Sequence, residues 1–247
     1  MNLYFYRQLP PREQFLYKEI DRRIARHEPC LQVVATESPE SLFSIIRFVI
    51  LDHPEYYWSS GGCRMTRGPG NETEIDFEYL VSAQETAETD QMIFSAIQGI
   101  GAEKYADSAD KARAISAWLS ENVRYDTAKD AVFVKTNQTV YSVFVEKRSL
   151  CIGIAKAFDL IARVYGLDSM TVLGYLFQDE KNKHAWNLVN IGGQYLHVDV
   201  AIGYPCFREL WRSWHPALEP CVLVSDAFIS PTHHISEPAL YPLSASK

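Results

Sequence analysis

Cys151, His184 and Asp199 follow one another in a single stretch of the chain, from Leu150 to Gly203. A cysteine is a nucleophile when it is a thiolate, and a histidine can take up and return its proton. A carboxylate beside that histidine fixes its tautomer and stabilises the imidazolium. Together these side chains offer attack on a carbonyl through a covalent thioester. Each alone has a plainer reading. Cys151 reads as a small buried apolar residue, and His184 with Asp199 reads as the polar decoration of a half-exposed hairpin.

The elements that must carry them are visible in the pattern. Ile154, Ala155, Phe158, Ile161, Ala162 and Tyr165 recur at helical spacing, and Gly166 supplies a stop. This predicts a helix with Cys151 in its first turn, where unpaired N–H groups and the helix dipole favour a thiolate. Two strand-like runs follow, His-Ala-Trp-Asn-Leu-Val-Asn-Ile from His184 and Gln-Tyr-Leu-His-Val-Asp-Val from Gln194. The Gly192-Gly193 link between them predicts a two-residue primed turn. In that register Ile191 pairs with Gln194, Trp186 with Asp199, and His184 with Ala201. His184 and Asp199 then become diagonal neighbours on one face, roughly 7 Å apart between Cα atoms. Ala185, Val189, Ile191, Leu196, Val198 and Val200 form the opposite face, apolar enough to be buried.

Taken as a set, Cys-x-Gly-x-Ala-x-Ala-Phe, His-Ala-Trp-Asn-x-Val and His-Val-Asp resemble the transglutaminase-like superfamily of papain-type thiol enzymes. The resemblance runs from about Ala109 to about Gly203. It includes the lead-in Ile115-Ser116-Ala117-Trp118-Leu119 and Val123-Arg124-Tyr125-Asp126. It implies Cys151 as nucleophile, His184 as general base and acid, and Asp199 as the residue that orients His184. One departure is visible: Ile152 and Ile154 flank the glycine where relatives carry a small or acidic residue and an aromatic. This alters the acyl pocket and leaves the triad intact.

Elsewhere the chain alternates helix and strand signals. A helix is expected from Pro10, a short strand over residues 31–35, and a helix with Ser38 as cap and Pro39 at its first position. Residues 64–66 and 72–80 read as two strands around Gly68-Pro69-Gly70-Asn71. Tyr56-Tyr57-Trp58 reads as core packing rather than as a substrate wall. Residues 83–100 predict a helix with Met92, Ile93, Ala96 and Ile97 inward, and Ser108 is expected to cap the next one. Residues 204–218, with Trp211 and Trp214, show no period. Cys221 to Val224 suits an edge strand. His233-His234 reads as part of a loop, and the residues after it as a tail draped on the surface. Gln138 and Tyr141 stand upstream of the cysteine as alternative oxyanion donors, between which the sequence does not choose.

Composition bounds the function. The chain is 47% hydrophobic and 22% charged with a net charge of −7. No basic stripe is present to neutralise phosphates, which argues against a nucleic-acid partner. No apolar run approaches the roughly 20 residues that span a bilayer, and no signal peptide is evident. A cytoplasmic location is expected. Cys30, Cys63, Cys151, Cys206 and Cys221 are odd in number and widely spaced, unlike a disulfide scaffold or a zinc-finger pattern. Gly61-Gly62 and Gly68-Pro69-Gly70 lack the strand–loop–helix setting of a phosphate loop. No cofactor and no metal are expected.

The expected fold class is α+β: a papain-like, transglutaminase-like core with the nucleophile helix packed on an antiparallel sheet. A mainly helical N-terminal region with a β-hairpin precedes it. The boundary is placed near Tyr105, giving residues 1–105 and a catalytic core of 106–247. The expected function is cysteine-dependent acyl transfer on amide bonds of proteins or peptides, as a thiol hydrolase or peptidase. Alternatives are a protein-crosslinking transglutaminase, an arylamine acetyl transferase, and a non-catalytic binding protein on the same fold. The sequence does not give the oligomeric state.

Overall fold

The computed structural model describes residues 3–128, 134–205 and 221–242. Trp211, Trp214, Cys206 and most of the aperiodic stretch around them lie outside the described residues. The chain divides into two units, Met1–Thr89 and Asp90–Lys247; the division falls inside a helix, ahead of the sequence boundary at Tyr105.

In the first unit, α1 (Pro11–Ala25) buries Leu16, Ile20 and Ile24 at helical spacing. β1 (Cys30–Val34) leads to α2 (Pro39–Asp52), where the Ser38 hydroxyl accepts the Ser41 N–H at 3.2 Å. Asp52, at the end of α2, accepts the backbone N–H groups of Phe5 and Tyr6 at 3.0 and 2.9 Å, and the Tyr17 hydroxyl at 3.0 Å. The N-terminal arm is thus fastened by a buried carboxylate. β2 (Ser59–Arg67) and β3 (Glu72–Tyr79) form the expected hairpin, and β1 adds to its other side, giving the antiparallel order β1-β3-β2. Tyr57 and Trp58 are core residues, and the Trp58 indole donates to the Ile24 carbonyl at 3.0 Å.

In α3 (Ala83–Gln98), Ile93 and Ile97 are buried but Met92 and Phe94 lie half exposed, so the buried stripe is narrower than expected. The second unit continues with α4 (Ser108–Asn122). Its cap is Asp107 rather than Ser108: the Asp107 carboxylate accepts the N–H groups of Ala109 and Asp110 at 2.7 and 3.2 Å. A carboxylate at the positive helix end satisfies two donors where a hydroxyl one residue later would sit inside the turn. Short strands β4 (Arg124–Tyr125) and β5 (Arg148–Ser149) pair in parallel just ahead of α5 (Cys151–Val164).

After α5 come β6 (Ser169–Leu176), β7 (Lys183–Ile191), β8 (Gln194–Asp199), β9 (Cys221–Val224) and β10 (His233–Ile235). They make one sheet in the order β10-β6-β7-β8-β9, antiparallel at every pairing. β9 is an edge strand, as expected. β6 stands outside the elements expected from the sequence, and β10 replaces part of the expected surface tail. The architecture is α+β, with α5 lying on the sheet. Ile154, Phe158 and Ile161 of α5 are fully or almost fully buried, each worth about 1.5–3 kcal/mol against an exposed side chain. Gly166, at φ 78°, closes α5 in the left-handed conformation.

Candidate active site

Cys151 is the first residue of α5, and Leu150 before it offers no side-chain cap. No side chain of the cap residue therefore competes for the N–H groups of the first turn. The close approach of the preceding chain is set by Gly153. A Cβ built on it would lie 2.2 Å from the Ser149 hydroxyl and 3.0 Å from the carbonyl oxygens of Asn137 and Thr139. The glycine of Cys-x-Gly is thus a steric requirement of the turn over Lys135–Gln138. Gln138 and Tyr141, the sequence candidates for an oxyanion donor, are half-buried near this turn.

His184 arrives on β7 and Asp199 on β8. Over its paired length the hairpin has the expected register, from Asn187↔Val198 to Ile191↔Gln194. The expected pairing of His184 with Ala201 is not formed, because β8 ends at Asp199 and the chain turns into a short 3-10 helix over Ala201–Gly203, whose Ile202 N–H is taken up by Asp199. Gly192 and Gly193 take φ 61° and 91°, as a primed turn requires. The His184 Nε2 lies 2.7 Å from Asp199 Oδ2, and both side chains are buried. With Nε2 committed to the carboxylate, Nδ1 is left to face the thiol, and His184 is hydrogen-bonded to Cys151. The Ala185 backbone N–H donates to the same sulfur. Cys151, His184 and Asp199 therefore form one chain of contacts through the imidazole, and Cys151 itself keeps partial exposure.

The electrostatics follow from this geometry. Burial by itself pushes the Cys151 thiol up. The His184 imidazolium, its hydrogen bond and the Ala185 N–H outweigh that and hold the thiol below its ordinary value, with Asp199 opposing. For His184, burial disfavours the imidazolium, but the Asp199 carboxylate and the Cys151 thiolate push it up to about 10. Burial would also raise the Asp199 carboxyl, yet His184 and His233 keep it well below the usual carboxylate range. Both shifts favour a thiolate–imidazolium pair over the neutral thiol and imidazole. Trp186 stacks beside the His184 ring, centroids 6.1 Å apart, and shields the pair from water.

Two further residues touch this group. Tyr125 is brought beside the thiol because β4 pairs Tyr125 with Ser149, two residues before Cys151. Its hydroxyl donates to the Cys151 sulfur and accepts from the Cys151 backbone N–H. The second is His233, whose Nε2 lies 2.9 Å from the same Asp199 oxygen that binds His184. It is a buried residue of β10, not a loop residue. No spacing rule links position 233 to position 199; only the pairing of β10 with β6 does.

The ligand atoms of His184, Asp199 and His233 lie within 4.8 Å of one another, a spacing that would also suit a metal ion. The hydrogen bonds at 2.7 and 2.9 Å account for the same atoms with protons alone. Cys30, Glu74 and Asp76 make a second such group, half-exposed in the first unit.

Comparison with known proteins bears on the same stretch. Residues 96–200 match the family model of the transglutaminase-like superfamily. Over these residues the chain is transglutaminase-like. Comparison with curated proteins finds no match. Among solved structures, a TGase crystal structure is similar at 14% identity with a TM-score of 0.44, covering 70% of this chain and 50% of that one. A "putative cysteine protease" from Cytophaga hutchinsonii is similar at 14% identity with a TM-score of 0.38, covering 59% and 63%. A "putative protease" from Parabacteroides distasonis is similar at 10% identity with a TM-score of 0.35, covering 68% and 37%. The chain thus spans less than two thirds of the length of each. Among the described residues, no helix is long and apolar enough to cross a membrane.

Proposed function

We propose that the protein is a cysteine-dependent acyl-transfer enzyme that hydrolyses amide bonds of a protein or peptide substrate through a thioester. The observation that carries this reading is the contact of Cys151, at the start of α5, with a buried His184 bound to Asp199 at 2.7 Å. In the first step the Cys151 thiolate attacks the amide carbonyl carbon, and the carbonyl oxygen takes the negative charge. The Cys151 backbone N–H, which donates to the Tyr125 hydroxyl in the resting site, and that hydroxyl would turn to this oxygen as the carbonyl enters beside the sulfur. The imidazolium of His184 then gives its proton to the departing nitrogen, the C–N bond breaks and the thioester remains. In the second step His184 takes a proton from water, hydroxide adds to the thioester carbonyl, and the C–S bond breaks. The acid leaves and the thiolate–imidazolium pair returns.

Water is the default acceptor, so hydrolysis is the preferred outcome. Cys30, Cys63, Cys151 and Cys221 are free thiols, which suits a reducing compartment such as the cytoplasm.

The test is selective alkylation followed by activity profiling. At pH 7, iodoacetamide should modify Cys151 before Cys63, whose thiol burial pushes up to about 11. Cys30 is also raised, by burial and then by Glu74 and Asp76. Cys151→Ala should fold, lose that labelling and lose turnover of a peptide library. Faster labelling at Cys30 or Cys63 would sink the assignment. Incorporation of a fluorescent amine into a glutamine donor, exceeding hydrolysis, would make the enzyme a transglutaminase instead.

A further inference from the structure

We propose that His233 is a positioning residue of the thiol site: from the far side of Asp199 it donates a hydrogen bond that holds the carboxylate in line with His184. The inference rests on the reading of Cys151 as nucleophile and adds a fourth residue to its support. Asp199 is held at both oxygens. Oδ2 lies 2.7 Å from His184 Nε2 and 2.9 Å from His233 Nε2, and Oδ1 accepts the Ile202 N–H at 3.2 Å. Two imidazoles converge on one oxygen, and both are buried.

The proton count defines the role. His233 Nδ1 lies 2.8 Å from the Thr232 hydroxyl. The hydroxyl has one proton and two acceptors within reach, Nδ1 at 2.8 Å and the Ile229 carbonyl at 3.1 Å; given to the nearer Nδ1, it leaves the ring neutral with Nε2–H free to donate to Asp199. A neutral donor suits the site better than a second cation. The carboxylate has one negative charge, and His184 already carries the positive charge that the thiolate needs. Burial also disfavours a charged His233, and His184 and His197 add to that, while Asp199 opposes. Among the described residues those three titratable groups act on the ring; Asp226 stands one step further out, paired with His197. His233 therefore steadies the carboxylate without competing for it.

The fold makes room for this arrangement. β10 reaches Asp199 because Gly174 of β6 has no side chain. A Cβ there would lie 2.2 Å from the His234 carbonyl oxygen and 2.6 Å from the Trp186 ring. The Trp186 ring meets His233 edge-on, at 5.1 Å between centroids. On its other side His233 borders a cavity of about 380 Å³, so an apolar replacement of similar size has space.

The test uses the full chain and the pH dependence of iodoacetamide alkylation at Cys151, followed by peptide mapping. It needs no substrate. In His233→Leu the acid limb of that profile should move up by about one pH unit toward an ordinary thiol, as expected for the loss of one hydrogen bond to a charged acceptor. His233→Gln, which can offer an N–H at the same distance, should restore most of the shift. Thr232→Val leaves the imidazole in place but removes the partner that fixes its tautomer, and should give a smaller shift in the same direction. It also keeps the test open if the leucine variant fails to fold. An acid limb that stays put in both His233→Leu and Thr232→Val, or that moves equally with Gln, overturns the positioning role. A wild-type Cys151 that alkylates like an ordinary thiol is a different result: it removes the nucleophile reading, and this proposal with it.

Discussion

Asn187 on β7 donates its side-chain N–H to the Ala155 carbonyl of α5 at 2.9 Å, and so ties the strand bearing His184 to the helix bearing Cys151. Both partners are buried. The bond sits three residues along β7 from His184 and four residues along α5 from Cys151, so it limits sliding between the two elements. Asn187→Ala should cost about 1 kcal/mol, the net worth of a typical buried hydrogen bond. That is a fall in Tm of about 2–4 °C for a chain of this size. Alkylation of Cys151 at pH 7 should slow as well. A variant that melts lower but alkylates at the wild-type rate would show that the bond serves stability alone.

Gly153→Ala tests the close contact at the helix start. The added methyl meets the Ser149 hydroxyl at 2.2 Å and two backbone carbonyls at 3.0 Å. Ser149 is itself fixed by hydrogen bonds to the Asn137 carbonyl and the Ser142 hydroxyl, at 2.8 and 2.7 Å. The hydroxyl has little freedom to swing aside. Overpacking of this kind costs about 1–3 kcal/mol. Chemical denaturation should read that loss, and an unchanged midpoint would mean that the turn over Lys135–Gln138 moves without cost.

Tyr125→Phe separates a packing role from a catalytic one. The ring is half-buried, and its hydroxyl touches both the sulfur and the backbone N–H of Cys151. Phenylalanine keeps the ring and removes the donor. If the hydroxyl stabilises the oxyanion, kcat should fall about a hundredfold with KM nearly unchanged, as for other single donors to such a charge. Wild-type kcat would leave the Cys151 N–H without help from this side chain.

The part of the site that local rules specify was legible in the sequence. Cys151 starts α5 because the apolar stripe from Ile154 to Ile161 fixes that helix, and Gly192-Gly193 fixes the hairpin register that sets His184 against Asp199. What stayed hidden depends on pairings between distant segments. Tyr125 reaches the thiol through a two-residue parallel strand, too short to leave a period. His233 reaches Asp199 through a three-residue strand whose approach rests on a missing side chain at Gly174. β6 is buried along most of its length and lacks the alternation that marks a one-faced strand. The apolar character of Met92 suggests an inward side chain, but an exposed apolar side chain on a helix costs little and is common.

Lys156 is a buried basic residue of α5. Among the described residues it makes no ion pair, and the neighbouring Asp159 is taken up by Arg163 at 2.7 Å. Burial alone depresses its amine to about 8. An unfolded lysine titrates near 10.4, so between about 8 and about 10.4 the unfolded chain binds more protons and stability rises with pH. Below about 8 the folded protein carries the full cost of a desolvated charge. Lys156→Met keeps the unbranched stem and removes that charge. It should stabilise the protein at pH 7 by on the order of 2 kcal/mol, judged from the depression of the amine. The gain should shrink at pH 9.5, as the wild-type amine becomes neutral in the folded state. Urea denaturation of both proteins at the two pH values reads this directly. Equal stability at pH 7 would mean that the lysine amine reaches water, and a loss would mean that it serves a partner outside the described residues.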